Sequence, residues 1–142
     1  MSVNQILAGK GRDVVTLAPD STLEEVARVL ATKKIGAIVL LEETGSIAGI
    51  VSERDIVRVI GTGGVSALSR SAREEMTTDV KTCTGSTGID EAMQIMTDGR
   101  FRHLPVFEDG RLAGIISIGD VVKRRIEDVE REAAVMREYI AS

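Results

Sequence analysis

The sequence has few aromatic residues and very little cysteine. Aromatic residues make up 2% of the 142 residues, with no tryptophan, and there is one cysteine. The lack of aromatic rings removes the stacking platforms that single-stranded nucleic acids use, and the net charge of −4 argues against a general nucleic-acid binder. Cys83 cannot form an internal disulfide, which suits a reducing cytoplasm. We therefore expect an aliphatic core in which Cys83 is a small buried side chain.

Long hydrophobic runs are absent as well. The longest strongly apolar run, IGAIVLL at 35–41, is far too short to span a bilayer. The first residues, MSVNQILAGKGR, show no apolar segment followed by a cleavage site. We therefore expect no membrane span, no secretory signal and a cytoplasmic location. The balance of 43% hydrophobic and 28% charged residues is typical of a globular protein.

The sequence does contain an internal repeat. The nonamers GIVSERDIV at 49–57 and GIISIGDVV at 114–122 share Gly, Ile, Ser, Asp and the final Val. Before each nonamer, apolar residues at i, i+3, i+4 and i+7 predict a helix with one buried face. These stripes are Leu23, Val26, Ala27 and Leu30 in the first copy and Ile89, Ala92, Met93 and Met96 in the second.

Each copy is predicted to have the order β-α-β-β-α. Short extended segments, VVTL at 14–17 and VKTC at 80–83, come first, and Ser21-x-x-Glu24 and Thr87-x-x-Asp90 predict capping boxes at the following helices. Two strands follow in each copy, joined by the turns EETGS and EDG. Pro105 lies inside a strand and should leave its nitrogen side unpaired. The Gly/Ser-rich stretch 61–76 is expected to be a flexible linker.

The pairs Ser52-x-x-Asp55 and Ser117-x-x-Asp120 follow the last strand of each copy. One interpretation is a helix cap, in which the serine is the N-cap and the aspartate bonds back to it. The other is ligand contact, because a strand-to-helix junction presents unpaired helix N–H groups that favour anions. The two interpretations do not exclude each other.

The doubled pattern resembles a tandem CBS-domain pair, also called a Bateman module. The motif G-I-[VI]-S-x-x-D-[IV]-V, with MTTDV, FRHLPV and GRLAGIISIGDVVK, carries the resemblance over about residues 5–125. It implies an α+β fold of two CBS repeats related by a pseudo-two-fold axis, with clefts between them. We expect the first repeat and linker in residues 1–72, and the second repeat with a long C-terminal helix in residues 73–142.

The resemblance also implies a ligand and its anchors. Family members take adenine nucleotides or related adenosyl compounds, so AMP, ATP and NAD are the leading ligands. The matching aspartates, Asp55 and Asp120, would hold the ribose, and the matching serines, Ser52 and Ser117, would lie beside phosphate.

Basic residues of one repeat are implied to reach the phosphate that the other repeat holds. Arg102 and His103 would then serve the Asp55 site, and Arg54 would serve the Asp120 site. The alternative for the arginines, including Arg100, is solvated surface charge. The alternative for His103 is a structural role at the end of a strand.

The family also places its base-binding backbone at positions that recur in both copies. In this sequence these positions are Thr16 and Ile38 in the first copy, and Thr82, Leu104 and the adjacent Pro105 in the second. The alternative for them is ordinary core or sheet packing.

Catalytic and metal motifs are not supported. The stretch GTGG at 61–64 lacks the Lys-Ser/Thr of a phosphate-binding loop. A single histidine and a single cysteine cannot supply a protein-only zinc site or several catalytic groupings. We therefore expect no enzyme and no required cofactor, but a regulatory module that senses adenine nucleotides and signals to an unknown protein. The alternatives are an interaction protein with non-functional clefts and a nucleotide-processing enzyme.

The last residues predict a helix with a coiled-coil stripe. Apolar residues alternate at spacings of four and three, with charged residues between them. The stripe consists of Val122, Ile126, Val129, Ala133, Met136 and Ile140. It either packs back on its own domain or meets a partner, most simply a second copy in a homodimer.

Overall fold

The computed structural model describes residues 1–141, which form two α+β units joined by a folded crossing segment. The first part of the chain contains α1 (Val3–Lys10), β1 (Thr16–Leu17), α2 (Leu23–Lys33), β2 (Ala37–Leu41), β3 (Ile47–Ser52) and α3 (Glu53–Gly63). The crossing segment contains a 3-10 helix (Val65–Ser69) and α4 (Ala72–Glu75). The second part contains α5 (Ile89–Gly99), β4 (His103–Glu108), β5 (Arg111–Ser117) and α6 (Ile118–Ala141). The predicted α+β fold with two repeats and a long C-terminal helix is confirmed.

Each repeat has its own aliphatic core. In the first, α2 buries Leu23, Val26 and Leu30 of the predicted stripe against a sheet of order β1-β2-β3. In the second, α5 buries Ile89, Ala92 and Met96 against β4 and β5. Cys83 belongs to this second core, as expected, and is 6% exposed.

The first strand of the second repeat is shorter than predicted. The segment VKTC forms a single parallel bridge between Cys83 and Val106, whereas β1 pairs at both Thr16 and Leu17. The Cys83 N–H donates to the Pro105 carbonyl at 3.0 Å, so the nitrogen of Pro105 faces the same edge of β4. Because proline has no N–H to donate, the parallel ladder stops there.

The predicted helix caps are displaced by one residue. The N-cap of α2 is Thr22, whose hydroxyl accepts from the Glu25 N–H at 3.1 Å. Ser21 lies one residue outside the helix, where its carbonyl accepts from the Ala72 N–H. The N-cap of α5 is Gly88, which has no side chain to cap the helix. The Thr87 hydroxyl accepts a hydrogen bond from the Thr84 N–H, which precedes the helix.

Helix α1 precedes the first repeat but packs on the second, and helix α4 precedes the second repeat but packs on the first. The sequence analysis did not predict α1, which buries Val3, Ile6 and Leu7 in the core of the second repeat. In the same way, α4 buries Ala72 in the core of the first. The stretch 61–76 is therefore largely helical and not the flexible linker that its composition suggested. This reciprocal packing ties the two repeats together.

The glycine that opens each nonamer makes room for these crossing helices. A Cβ on Gly114 would lie 2.8 Å from Leu7 Cδ2, and a Cβ on Gly49 would lie 2.7 Å from the Thr77 carbonyl oxygen. Both glycines are buried in their strands. Glycine therefore recurs in the repeat because a segment from across the molecule lies directly on the strand.

The outer part of α6 leaves the body of the molecule. All residues from 129 to 141 are exposed, including the members of the predicted stripe in that part of the helix. The alternative in which the stripe packs back on its own domain is therefore wrong. No helix within residues 1–141 combines the length and apolar character that crossing a membrane requires.

Candidate functional site

A cleft of about 260 Å³ lies where the two repeats and the crossing segment meet. Three stretches of chain form its walls. The first repeat contributes the β3–α3 junction, the crossing segment contributes its residues just after α4, and the second repeat contributes the turn between α5 and β4. The lining residues are Gly36, Ile50, Ser52, Glu53, Arg54, Asp55, Thr77, Asp79, Val80, Lys81, Gly99, Arg100, Phe101, Arg102 and His103.

The carboxylate of Asp55 is held by the start of α3. The Ser52 N–H donates to Asp55 Oδ2 at 2.8 Å, and the Asp55 N–H donates to Ser52 Oγ at 3.3 Å. These reciprocal bonds form a capping box, so the capping interpretation is confirmed for this copy. They also fix the carboxylate at the edge of the cleft. The second oxygen, Oδ1, accepts from Arg58 at 3.3 Å.

Three exposed arginines line the same cleft as this carboxylate. Arg54, Arg100 and Arg102 line the cavity, and within residues 1–141 none of their guanidinium groups makes a hydrogen bond or an ion pair. By contrast, Lys81 lies 3.4 Å from Asp79. Guanidinium groups without partners in a concave site favour an anionic ligand, above all phosphate or carboxylate.

His103 lies at the inner end of the same cleft, against Gly36. A Cβ on Gly36 would come within 2.9 Å of His103 Nε2. The imidazole therefore packs where any larger residue at position 36 would place its side chain. Burial lowers the pKa of His103 below its ordinary value of 6.5, with Lys10 and Arg102 adding to the effect and Glu53 and Asp120 opposing it. The ring is therefore neutral at neutral pH.

The second Ser-x-x-Asp pair is built alike but has a different partner. The Ser117 N–H donates to Asp120 Oδ2 at 2.9 Å, and the Asp120 N–H donates to Ser117 Oγ at 3.1 Å. Here Lys10, at the end of α1, also donates to Oδ2 at 2.7 Å and to the Ile115 carbonyl at 2.9 Å. Partial burial tends to raise the pKa of Asp120, but the bonds from Lys10 and Ser117 outweigh it and lower the pKa overall.

The structure brings together five of the predicted site residues: Ser52, Arg54, Asp55, Arg102 and His103. Asp55, Arg102 and His103 thus line one cleft from the two repeats, and their roles toward a ligand stay predictions. Arg54 was assigned to the Asp120 site, but it lines the Asp55 cleft, because it lies in the same first turn of α3 as Asp55.

The residues whose backbone was predicted to bind the base are not among those that line this cleft. Ile38 and Leu104 are fully buried in the two cores, and Pro105 is buried in β4. Thr16 is half-buried in β1, and Thr82 is exposed beside the Cys83 bridge. The role predicted for their backbone groups toward an adenine base stays a prediction.

Several cleft residues were missed from sequence. Asp79, Val80 and Lys81 line the cleft because α4 ends at Glu75 and the chain then runs extended along β3. Lys10 reaches Asp120 only because α1 packs on the opposite repeat. An alignment of the segments that precede the two repeats could have revealed these residues. In that alignment Leu7 matches Met76, and each of these side chains packs on a nonamer glycine.

The comparison with known families decides the identity of the fold. The family model for the CBS domain matches residues 10–62 and again residues 72–127. The chain belongs to the CBS domain family. The two matches correspond to the two repeats, and the Asp55 cleft lies between the halves of this CBS pair.

Relatives of the CBS pair span most of its length. The mitochondrial CBS domain-containing protein CBSX3 of Arabidopsis thaliana is 32% identical, covering 98% of this chain and 71% of the relative. A CBS-domain-containing protein from Agrobacterium tumefaciens has a solved structure with 49% identity and a TM-score of 0.85, covering 88% of this chain and 99% of that one. A CBS domain protein of Pyrobaculum aerophilum, solved in complex with AMP, is 28% identical with a TM-score of 0.76, covering 84% of this chain and 89% of that one.

Cys83 is buried in the second core and is not among the residues that line the cleft. Burial, with Glu91 and Glu108 nearby, raises the pKa of Cys83 to about 11, which leaves the thiol protonated and weakly nucleophilic. Within residues 1–141, no cluster of three or more His, Cys, Asp or Glu side chains is arranged to hold a metal ion. The groups that line the cleft are three carboxylates, three guanidinium groups, the Lys81 ammonium, the His103 imidazole and the N-terminus of α3.

Proposed function

We propose that the Asp55 cleft binds an adenine nucleotide and that the CBS pair is a regulatory module. The observation that carries the proposal is the set of three arginines without partners around one anchored carboxylate. AMP, ATP and NAD all combine a ribose diol with phosphate, which matches this mixture of charges. The AMP complex of the Pyrobaculum aerophilum protein supports the same ligand class.

Each group has a definite role in this proposal. Asp55 accepts hydrogen bonds from the ribose hydroxyls, because its capping box keeps the carboxylate in place without filling all of its acceptor sites. The N-terminus of α3 and Ser52 lie beside phosphate. Arg102 and Arg54 neutralise the phosphate charge from the two sides of the cleft.

The output of the module is proposed to be a signal and not a reaction. The cleft offers no nucleophile activated by a neighbouring base, and His103 is its single imidazole. Ligand binding therefore acts by favouring one state of the CBS pair, which a partner protein recognises. The partner is left open. The competing functions are an interaction protein with non-functional clefts and a nucleotide-processing enzyme.

The proposal is tested by calorimetric titration of the full chain with AMP. Asp55→Asn keeps the shape of the side chain but removes the charge, and we expect AMP affinity to fall by about tenfold or more, since hydrogen bonds to charged groups contribute about 1.5–3 kcal/mol. At a hundredfold excess over Kd, AMP should stabilise the wild type by about 2.7 kcal/mol.

The matched control is Asp109→Asn, at the exposed far end of the β4–β5 hairpin. It removes the same charge and should bind AMP like the wild type. AMP, ATP and NAD should be recovered intact by chromatography after incubation with the protein and magnesium. Lack of binding to all three nucleotides would favour non-functional clefts, and turnover lost in Asp55→Asn would favour an enzyme.

We also propose that the protein is a homodimer that pairs through α6. The stripe residues Val122, Ile126, Val129, Met136 and Ile140 are 42–76% exposed. A small groove lined by Met93, Val121, Val122 and Ile126 continues this apolar surface onto α5. A second copy of α6 would cover the stripe with residues of the same spacing, as in a coiled coil.

A further inference from the structure

The two Ser-x-x-Asp sites have the same backbone, and each carboxylate has a cationic partner, but the two partners come from different parts of the chain. In the first, Asp55 Oδ1 accepts from Arg58 at 3.3 Å, and Arg58 also lies 3.9 Å from Glu75. In the second, Lys10 places its ammonium 2.7 Å from Asp120. Arg58 reaches Asp55 from its own helix, whereas Lys10 comes from α1, an element that crosses over from the other end of the chain.

The lengths of the two crossing helices produce this difference. Leu7 and Met76 occupy matching places over Gly114 and Gly49. After Met76 the chain is extended, and Thr77 exchanges both backbone hydrogen bonds with Ile50 at 3.0 Å. After Leu7 the helix continues to Lys10. The Ile115 carbonyl, which matches that of Ile50, therefore accepts from the Lys10 ammonium.

The residues three positions after Met76 and after Leu7 also carry opposite charges. Three residues after Met76 comes Asp79, which lines the open cleft, and three residues after Leu7 comes Lys10. In addition, the repeat alignment matches Arg54 with Gly119 and Arg102 with Gly36. The second site therefore lacks these two guanidinium groups, and the cation on its carboxylate is the Lys10 ammonium of the crossing helix α1.

The geometry points to Lys10 as an internal competitor that closes the second site. Resting on the proposed function, this inference is that the Lys10 ammonium, bonded to Asp120 Oδ2 and to the Ile115 carbonyl, occupies the place of a ligand in the second site. The counterparts of these two residues, Asp55 and Ile50, line the first cleft. The chain then binds one nucleotide, in the Asp55 cleft. The side chains of Lys10 and Asp120 remain 37% and 24% exposed, so a variant without the ammonium leaves Asp120 accessible.

The test is the AMP stoichiometry of the full chain, measured by calorimetry and by native mass spectrometry. The wild type should bind one AMP per chain, and Lys10→Ala should bind a second. The second AMP should be lost in Lys10→Ala/Asp120→Asn but retained in Lys10→Ala/Asp55→Asn. Arg111→Ala removes one exposed positive charge at the far end of the β4–β5 hairpin and should remain at one AMP.

The outcomes separate this inference from the proposed function. One AMP in both the wild type and Lys10→Ala, lost in Asp55→Asn, would overturn the role of Lys10 and leave the proposed function standing. Two AMP molecules on the wild type would also overturn it. No AMP on any variant would remove both. Lys10→Gln tests the same point if Lys10→Ala fails to fold, and failure of both would show that Lys10 is needed for folding, which contradicts the inference.

Discussion

His103 is influenced by charges from both Ser-x-x-Asp sites. Glu53 lines the cleft of the first site, while Lys10 and Asp120 form the ion pair of the second, and all three act on the imidazole together with Arg102. The largest influence is burial, which disfavours the charged ring. The protonation of His103 is therefore coupled to charges at both sites.

The lowered pKa of His103 predicts a loss of stability in mild acid. Just below pH 6.5 the unfolded chain binds more protons at this histidine than the folded protein does, so protonation favours unfolding. The contribution is fully present above the unfolded pKa and is lost as the pH falls toward the lower folded pKa. Urea unfolding of wild type and His103→Gln at about pH 7.5 and about pH 5.5 measures this effect. The free energy of unfolding should fall more in the wild type, and equal falls would contradict the prediction.

The main residues of the candidate site could be predicted from sequence, but their complete set could not. Asp55, Arg102 and His103 were found because the repeat and its resemblance to a family relate positions in the two halves. The ion pair between Lys10 and Asp120 could not be found in this way, because it depends on where α1 packs. Local periodicity describes which face of a helix is buried, but it does not say which repeat receives that face.

At the scale of elements, the nonamer glycines set how closely the crossing segments approach the strands. At Gly49 the nearest atoms to an added Cβ include a backbone oxygen, that of Thr77, whereas at Gly114 they belong to the side chain of Leu7. A side chain can rotate away, but a backbone oxygen held by a bridge cannot move without breaking that bridge. The two glycines should therefore differ in their tolerance of alanine.

We predict that Gly49→Ala and Gly114→Ala each lower the free energy of unfolding by about 1–3 kcal/mol, with Gly49→Ala at the upper end. Gly61 in α3 has no heavy atom within 4 Å of an added Cβ. Gly61→Ala is the matched control and should be neutral or stabilising by up to about 1 kcal/mol. Urea unfolding followed by circular dichroism compares the three. A Gly49→Ala protein as stable as Gly61→Ala would mean that close approach does not explain why both nonamers begin with glycine.

The helices and strands could be predicted from the sequence, except where tertiary contacts determined a helix cap or the length of a strand. The stripes of α2 and α5 and the paired strands were predicted from periodicity. The cap predicted at Ser21 was wrong, and the Ser21 carbonyl instead accepts a hydrogen bond from Ala72 of the crossing segment. The strand predicted at 80–83 is reduced to one bridge because Pro105 lacks an N–H. Both errors arise from partners that are distant in sequence.

At the scale of the whole molecule, α6 is longer than its own repeat requires. Its 24 residues extend roughly 36 Å at 1.5 Å per residue. The first turns pack on α5, α1 and β5, but the residues from 129 to 141 are exposed. An isolated helix with an exposed apolar stripe gains little from its own propensity, so its stability must come from packing. A second copy supplies such packing with matching spacing.

We predict that the protein has twice the chain mass by light scattering and that Val129→Glu and Met136→Glu each shift it toward the chain mass. These side chains are 58% and 60% exposed in the single chain. A charge there should therefore leave the monomer folded while placing like charges against each other in a dimer. Ala134→Glu adds the same charge next to the stripe and should stay dimeric. Removal of residues 127–142 should weaken assembly without changing AMP binding to the Asp55 cleft. A wild type with the mass of one chain would show that α6 is exposed for another reason. Dimeric mass in both Val129→Glu and Met136→Glu would show the same.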